Sequence, residues 1–143
     1  LVHQHEEEQG AEALISLVSA MMNPAKILVV EDEFLVAVQI ESILTGAGWR
    51  VIGSAGTLAS AVSLARKSPC DAAVLDVNLR GERVDEVASI LSERRIPFLF
   101  VSGYGRGNLP AAFRDGVEFL AKPFSDQMLV QTVGDLLRSR RLS

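Results

Sequence analysis

A single cysteine among 143 residues leaves no pair for an internal disulfide. Cys70, following Pro69 and preceding an apolar run, therefore fits a reducing compartment and a packing role. The two histidines, His3 and His5, lie in a polar terminal stretch with no cysteine or spaced partner, which sets a zinc site aside. No apolar run reaches the length that spans a bilayer, and the first residues lack the basic region of a signal peptide. Positive charge is also scarce. Fourteen basic residues against 18 acidic ones give a net charge of −4, which argues against a nucleic-acid-binding surface. The short basic run Arg138 to Arg141 ("RSRR") reads as a solvated helix end. These absences leave a cytoplasmic chain long enough for one domain with one substantial core.

The chain divides into a prefix and a repeating body. Residues 1–24 form an extension in which Leu14, Ile15, Val18, Met21 and Met22 recur at helical spacing behind an acidic first half. It is expected to be a docking or dimerising helix, a linker, or a vector-derived segment, ended by Asn23-Pro24. From Ala25 the chain alternates short apolar strands, at 26–30, 49–53, 71–75, 97–101 and 117–121, with amphipathic stretches. Helices are predicted at 34–46, 57–67 and 84–94, with Thr57 as a cap. A short fourth helix is predicted from Pro110 to Gly116, and a fifth over 125–139 capped by Ser125. Strict alternation over residues 25–140 implies a parallel sheet covered on both faces. The fold class is three-layered α/β, flavodoxin-like, with strand order 2-1-3-4-5.

In such a sheet, ligands bind beyond the carboxyl ends of the strands. Glu31 and Asp32 follow the first strand, Asp76, Val77 and Asn78 the third, Ser102, Gly103 and Tyr104 the fourth, and Lys122 with Pro123 the fifth. Two carboxylates about 5 Å apart repel by roughly 3 kcal/mol at an effective dielectric of about 20, so either these acids point apart into water or something positive belongs between them. Asp32 and Asp76, with a backbone carbonyl near Asn78, suit a hard divalent ion such as Mg²⁺. A carboxylate is also a competent nucleophile toward phosphorus, with Lys122 balancing charge and the Ser102 hydroxyl donating to a phosphoryl oxygen. Glu33, at the start of the first body helix, is read as structural. Trp49 is read as packing.

At these residues the sequence resembles the response-regulator receiver domain of two-component signalling. "ILVVEDE" is similar to its first-strand acidic pair, "AVLDVNLRG" to its phospho-acceptor loop, "FLFVSGYG" to its fourth-strand hydroxyl segment, and "FLAKPF" to its lysine–proline turn. The resemblance implies that Asp76 is phosphorylated by a partner's phosphohistidine. It implies Mg²⁺ on Asp32, Asp76 and the Asn78 carbonyl, with Glu31 acting through a bound water. Ser102 would be the switch hydroxyl and Lys122 the phosphate-pairing cation. Phe119, three residues before the lysine, would be the aromatic switch position without a tyrosine's hydroxyl, and Tyr104 would shape water access. The implied partners are a histidine kinase or histidine phosphotransfer protein, an unidentified downstream protein, and a second copy of the chain as a homodimer.

The acceptor loop departs from the family pattern. It reads "NLRGERVDEV", with Arg80 where a proline is expected and no second glycine, which bears on loop rigidity rather than chemistry. "PFLFVSGYG" resembles a single-domain subgroup with a Phe-Ala-Thr-Gly-type signature, and similar receivers occur at the C-terminal end of hybrid histidine kinases. Only 21 residues follow Lys122, enough for a last helix, so no output domain is expected after it. Two other readings stay open. An aspartate-nucleophile phosphohydrolase normally carries a second aspartate where Asn78 stands. A scaffold module would keep the fold without being phosphorylated.

Overall fold

The computed structural model describes residues 2–142, with side chains described from residue 6 to 140 except residue 20. The readings of His3, His5 and Arg141 fall on side chains outside that set. Helix α1 (Val2–Met22) precedes strand β1 (Lys26–Val30), helix α2 (Phe34–Gly46), β2 (Arg50–Ala55) and α3 (Leu58–Lys67). Then follow β3 (Ala72–Asp76), a two-residue pair β4 (Asn78–Leu79) and β5 (Glu82–Arg83), and α4 (Asp85–Glu93). Strand β6 (Phe98–Ser102), two short 3₁₀ turns, β7 (Glu118–Ala121) and α5 (Asp126–Leu142) complete the chain.

Five strands form the main sheet in the order β2-β1-β3-β6-β7, all paired in parallel. Counting main-sheet strands alone, this is the flavodoxin-like order 2-1-3-4-5. The fold follows from strands that are apolar at consecutive positions and so are buried on both faces. Alternate residues of β1 divide accordingly. Leu28 and Val30 join Leu75 and Phe100 on the side of α3 and α4, while Ile27 and Val29 join Val74 and Leu99 on the side of α2 and α5. Helix α5 closes the second side with Leu129, Val133 and Leu136, spaced to fall on one helical face.

Local chemistry sets the ends of the elements. The Thr57 hydroxyl accepts from the Ser60 N–H at 3.2 Å, and the Ser125 hydroxyl accepts from the Met128 N–H at 3.1 Å, so both predicted caps form. The Arg94 guanidinium donates to the Ala65 and Ser68 carbonyls, closing the C-terminal end of α3. Trp49 packs against the α2/α5 side of the core. The "RSRR" reading of a solvated helix end holds for Arg138 and Ser139, which are exposed on the last turns of α5, and needs correction for Arg140. Arg138 pairs with Asp135, and Arg140 donates to the Cys70 carbonyl at 2.9 Å and to Asp71 at 3.3 Å. That last contact ties the end of α5 to the entry of β3 rather than leaving it to solvent.

Several boundaries moved, two of them at the site. Asp76 and Ser102 are the last residues of β3 and β6 rather than residues that follow them, and β2 runs on to Ala55. The predicted fourth helix is not an α-helix. Residues Arg106–Asn108 and Ala111–Phe113 make isolated 3₁₀ turns instead. Gly103, Gly105 and Gly107 precede the predicted span and Gly116 ends it, so only a short turn fits between them. The segment's carbonyls find other donors, since Arg106 donates to the Arg114 and Val117 carbonyls at 3.0 and 3.1 Å. Leu109 is buried beneath it as an anchor.

Cys70 is 3 % exposed, and burial pushes its thiol above the ordinary value. A thiol-specific chromogenic reagent at mildly alkaline pH should therefore leave the native chain unmodified and titrate one thiol per chain in guanidinium. Rapid native labelling would contradict the packing role.

Candidate functional site

Parallel pairing brings the carboxyl ends of β1, β3, β6 and β7 to one edge of the sheet. There an open depression of about 460 Å³ is lined by Asp32, Asp76, Asn78, Arg80, Ser102, Tyr104 and Lys122, among others. Glu31 stands beneath it, 3 % exposed, with Asp76 at 7 % and Ser102 at 2 %. The sequence-predicted residues thus converge, apart from Phe119, which packs half-buried against the core on the α3/α4 side.

Lys122 is the cation among the acids. Its Nζ lies 3.2 Å from Glu31 Oε2 and 3.3 Å from Asp76 Oδ2. Burial alone would lower this ammonium's pKa, but the Asp76 and Glu31 carboxylates more than offset that and hold it above its ordinary value. The Lys122 N–H donates to the Ser102 carbonyl at 2.8 Å, so the backbone that carries the ammonium is fastened to the end of β6. The Lys122-Pro123 peptide is cis.

The carboxylates differ in their surroundings. Burial pushes the Glu31 carboxyl up to about 7, against the pull of the Glu33 N–H, and the Asp76 carboxylate adds to the rise. Glu31 Oε1 accepts from that Glu33 N–H at 3.1 Å. Glu31 Oε2 is buried without a hydrogen bond, close to Lys122 but out of alignment with it. Asp76 Oδ1 accepts from the Asn78 N–H at 3.2 Å. Oxygens of Glu31, Asp32 and Asp76 all lie within 4.8 Å of one another. Three clustered hard donors, one of them a buried and unsatisfied oxygen, fit a small hard divalent cation. Glu33 is exposed at the N-cap of α2; its side chain makes no capping bond, and its N–H serves Glu31.

The acceptor-side loop is more ordered than its sequence suggests. Asn78 pairs with Arg83 and Leu79 with Glu82, leaving Arg80-Gly81 as a two-residue hairpin turn. Both turn residues have positive φ, 51° and 86°, the signature of a type I′ turn. The Arg80 N–H donates to Asp32 Oδ2 at 2.9 Å, and the Gly81 N–H to the Asn78 side-chain oxygen at 2.9 Å. Buried Leu79 anchors the hairpin. Arg80 and Arg106 are the residues that sequence reasoning missed. For Arg80 a signal existed: two residues ending in glycine between short strands read as a hairpin turn. For Arg106, whose guanidinium also lies 5.5 Å from the centre of the Phe119 ring, there was none.

Ser102 is poised differently from the acids. Its hydroxyl oxygen accepts from the Tyr104 N–H at 3.0 Å, leaving the hydroxyl proton available to a nearby acceptor. Tyr104 itself is exposed at the rim.

With this geometry, residues 27–134 match the family described as the response regulator receiver domain. Among curated proteins, the chain is 29 % identical over 113 residues to the transcriptional regulatory protein PdtaR of Mycobacterium tuberculosis, covering 77 % of this chain and 55 % of that protein. It is 32 % identical over 102 residues to the phyllosphere-induced regulator PhyR of Methylorubrum extorquens, covering 69 % and 38 %. The chain therefore spans about half or less of these two regulators. Among solved structures, SdrG from Sphingomonas melonis is similar at 38 % identity and a TM-score of 0.70, covering 79 % of this chain and 96 % of that one. A response regulator receiver protein from Sinorhizobium medicae is similar at 25 % identity and a TM-score of 0.74, covering 83 % and 98 %.

Two outcomes follow from the site's own contacts. Arg80→Pro should lower the thermal midpoint, by more than about 1 kcal/mol of stability, because proline fixes φ near −65° and has no N–H for Asp32. Arg80→Gly keeps the N–H and tolerates the φ, and should melt at or above the parent temperature. The second outcome concerns Glu31 in metal-free buffer. It holds its proton to about 7 when folded against 4.5 in the open chain. Stability from this group is therefore present below about 4.5 and lost as pH rises through about 7. Glu31→Gln should flatten that part of the stability–pH curve, and an unchanged slope would contradict the assignment.

Proposed function

The chain belongs to the response regulator receiver family, and on that premise we propose that it is the phospho-accepting module of a two-component relay with Asp76 as acceptor. The observation that carries this is the Asp76 carboxylate at the end of central strand β3, held by Lys122 at 3.3 Å in a depression shared with Asp32 and Ser102.

In the proposed reaction, an Asp76 carboxylate oxygen attacks the phosphorus of a partner's phosphohistidine. A P–O bond forms, the P–N bond breaks, and its electron pair leaves with the imidazole. Asp32, Asp76 and the Asn78 carbonyl would hold Mg²⁺, with Glu31 reached through a water. When bound, the ion supplies charge neutralisation between the acids and the incoming phosphoryl oxygens. Lys122 pairs with the phosphoryl group, and Ser102 turns its hydroxyl proton toward it. Tyr104, at the rim, limits the approach of water.

The partner's phosphohistidine must reach a depression flanked by exposed apolar side chains. Phe34, Leu35 and Val38 of α2 are 77 %, 80 % and 46 % exposed, immediately after the acidic end of β1. A histidine kinase or phosphotransfer protein would dock its apolar surface on this rim. The output passes through protein contact, by way of the loop after β6 and of Phe119, rather than through turnover of a substrate. The relay reading also places the chain in the cytoplasm. Among the described residues no helix is long and apolar enough to cross a membrane. A phosphohydrolase reading is less well supported. The Asn78 amide side chain cannot act as an acid or base, and its oxygen is engaged by the Gly81 N–H.

Incubation with acetyl phosphate and Mg²⁺, followed by intact mass measurement, should show one phosphoryl adduct. Asp76→Asn and omission of Mg²⁺ should each abolish it, and Lys122→Ala should slow its formation. An adduct that persists in Asp76→Asn would sink the assignment, and steady turnover of phosphate esters would favour the hydrolase.

A further inference from the structure

Helix α1 has no counterpart in the site and no place in either half of the core. Every described side chain from Glu6 to Ser19 is exposed, and neither apolar cluster contains a residue of α1. Yet Leu14, Leu17, Val18 and Met21 recur at i, i+3, i+4 and i+7, with Ile15 and Met22 widening the stripe. A helix in water draws most of its stability from packing such a face, so α1 needs an apolar partner to persist.

We propose that this partner is α1 of a second copy, and that the two helices pack antiparallel with Val18 near the twofold axis. The available area carries the choice of a dimer. The six side chains are between 45 % and 76 % exposed. Their exposed surface, were it all covered, would approach the ~800 Å² per partner of a standard interface. A self-complementary patch on each copy is also what a twofold interface requires. Charge selects the direction. Glu6, Glu7, Glu8 and Glu12 crowd the first half of α1. A parallel, in-register pair would set both copies' acids side by side, whereas an antiparallel pair sends them to opposite ends. Centred on Val18, the register places Leu14 of one copy opposite Met22 of the other, so that the stripes coincide.

The full chain should sediment as two chains, and Val18→Asp with Met21→Asp should reduce it to one while far-ultraviolet dichroism and the Asp76 phosphoryl adduct remain. Because none of these residues touches the acidic site, loss of the adduct in the parent chain would bear on the receiver chemistry and not on the dimer. Oxidative cross-linking sets the direction. A mixture of Leu14→Cys and Met22→Cys chains should form the mixed disulfide, and Leu14→Cys alone should not, with Cys70 buried and silent. A parent chain that sediments as one chain, a dimer untouched by the paired aspartates, or Leu14→Cys homodimers in place of the mixed disulfide would each overturn the proposal.

Discussion

One ammonium group holds the edge of the sheet together. Glu31, at the end of β1, and Asp76, at the end of β3, are both buried, and Lys122 stands between them after β7. Without it, two carboxylates in a poorly hydrated cleft would oppose the very strand pairing that brings them together. The lysine is positioned by that same pairing. Its own N–H donates to the Ser102 carbonyl, continuing the β6–β7 ladder by one bond. Fold and site therefore depend on each other: the parallel register places the cation, and the cation makes the register's acidic edge tolerable. The balance is still incomplete. Three carboxylates cluster at this edge, Lys122 pairs with Glu31 and Asp76, and Glu31 Oε2 has no hydrogen bond. A second cation is the natural completion of such a set.

Around that edge, arginines perform backbone tasks that are usually left to regular structure, Arg83 and Arg114 each donating to a carbonyl of the loop after β6. Arg80 offers its N–H to Asp32 from a hairpin turn, fixing an acid that is otherwise only partly buried. Arg106 gathers the Arg114 and Val117 carbonyls where an α-helix would have satisfied its own, and it lies against the face of Phe119. Cation–π contacts of this kind contribute about 0.5–1 kcal/mol at exposed sites. The cation–π contact is weak enough to exchange and specific enough to define a resting arrangement.

The architecture was legible because its signal is repeated. Four fully buried positions in β1 and five in β3 leave no polar face, and strands of that kind occur in covered parallel sheets. The acids, Ser102 and Lys122 were legible for the same reason: once the strands are parallel, their carboxyl ends must meet. What escaped was set by contacts between distant residues. The bond from Arg80 to Asp32 spans 48 positions of sequence, and Arg106 reaches carbonyls 8 and 11 residues away. No local propensity encodes such partners. The predicted fourth helix failed on a conflict that the sequence did contain. Pro110 and Gly116 marked the ends of a helix, the glycines before Pro110 left it little room, and arginine side chains serve carbonyls that a helix would have paired itself.

On the proposed reading, these exchangeable contacts form the path by which a charge at Asp76 would be felt elsewhere. A phosphoryl group would compete with Glu31 for the Lys122 ammonium, and Glu31, buried and with its carboxyl pushed up to about 7, would then more readily accept a proton. It would also compete for Ser102, whose oxygen now accepts the Tyr104 N–H. Drawing that hydroxyl inward pulls on residues 103–105, and the next side chain in line is Arg106. Its hold on Arg114, Val117 and the Phe119 ring joins the end of β6 to the start of β7. A helix at this position would resist such motion with its own ladder of bonds. Two 3₁₀ turns, tied down by the side chains of Arg83, Arg106 and Arg114, lack that continuous ladder, so the same phosphoryl charge can rearrange this face by exchanging side-chain bonds one at a time.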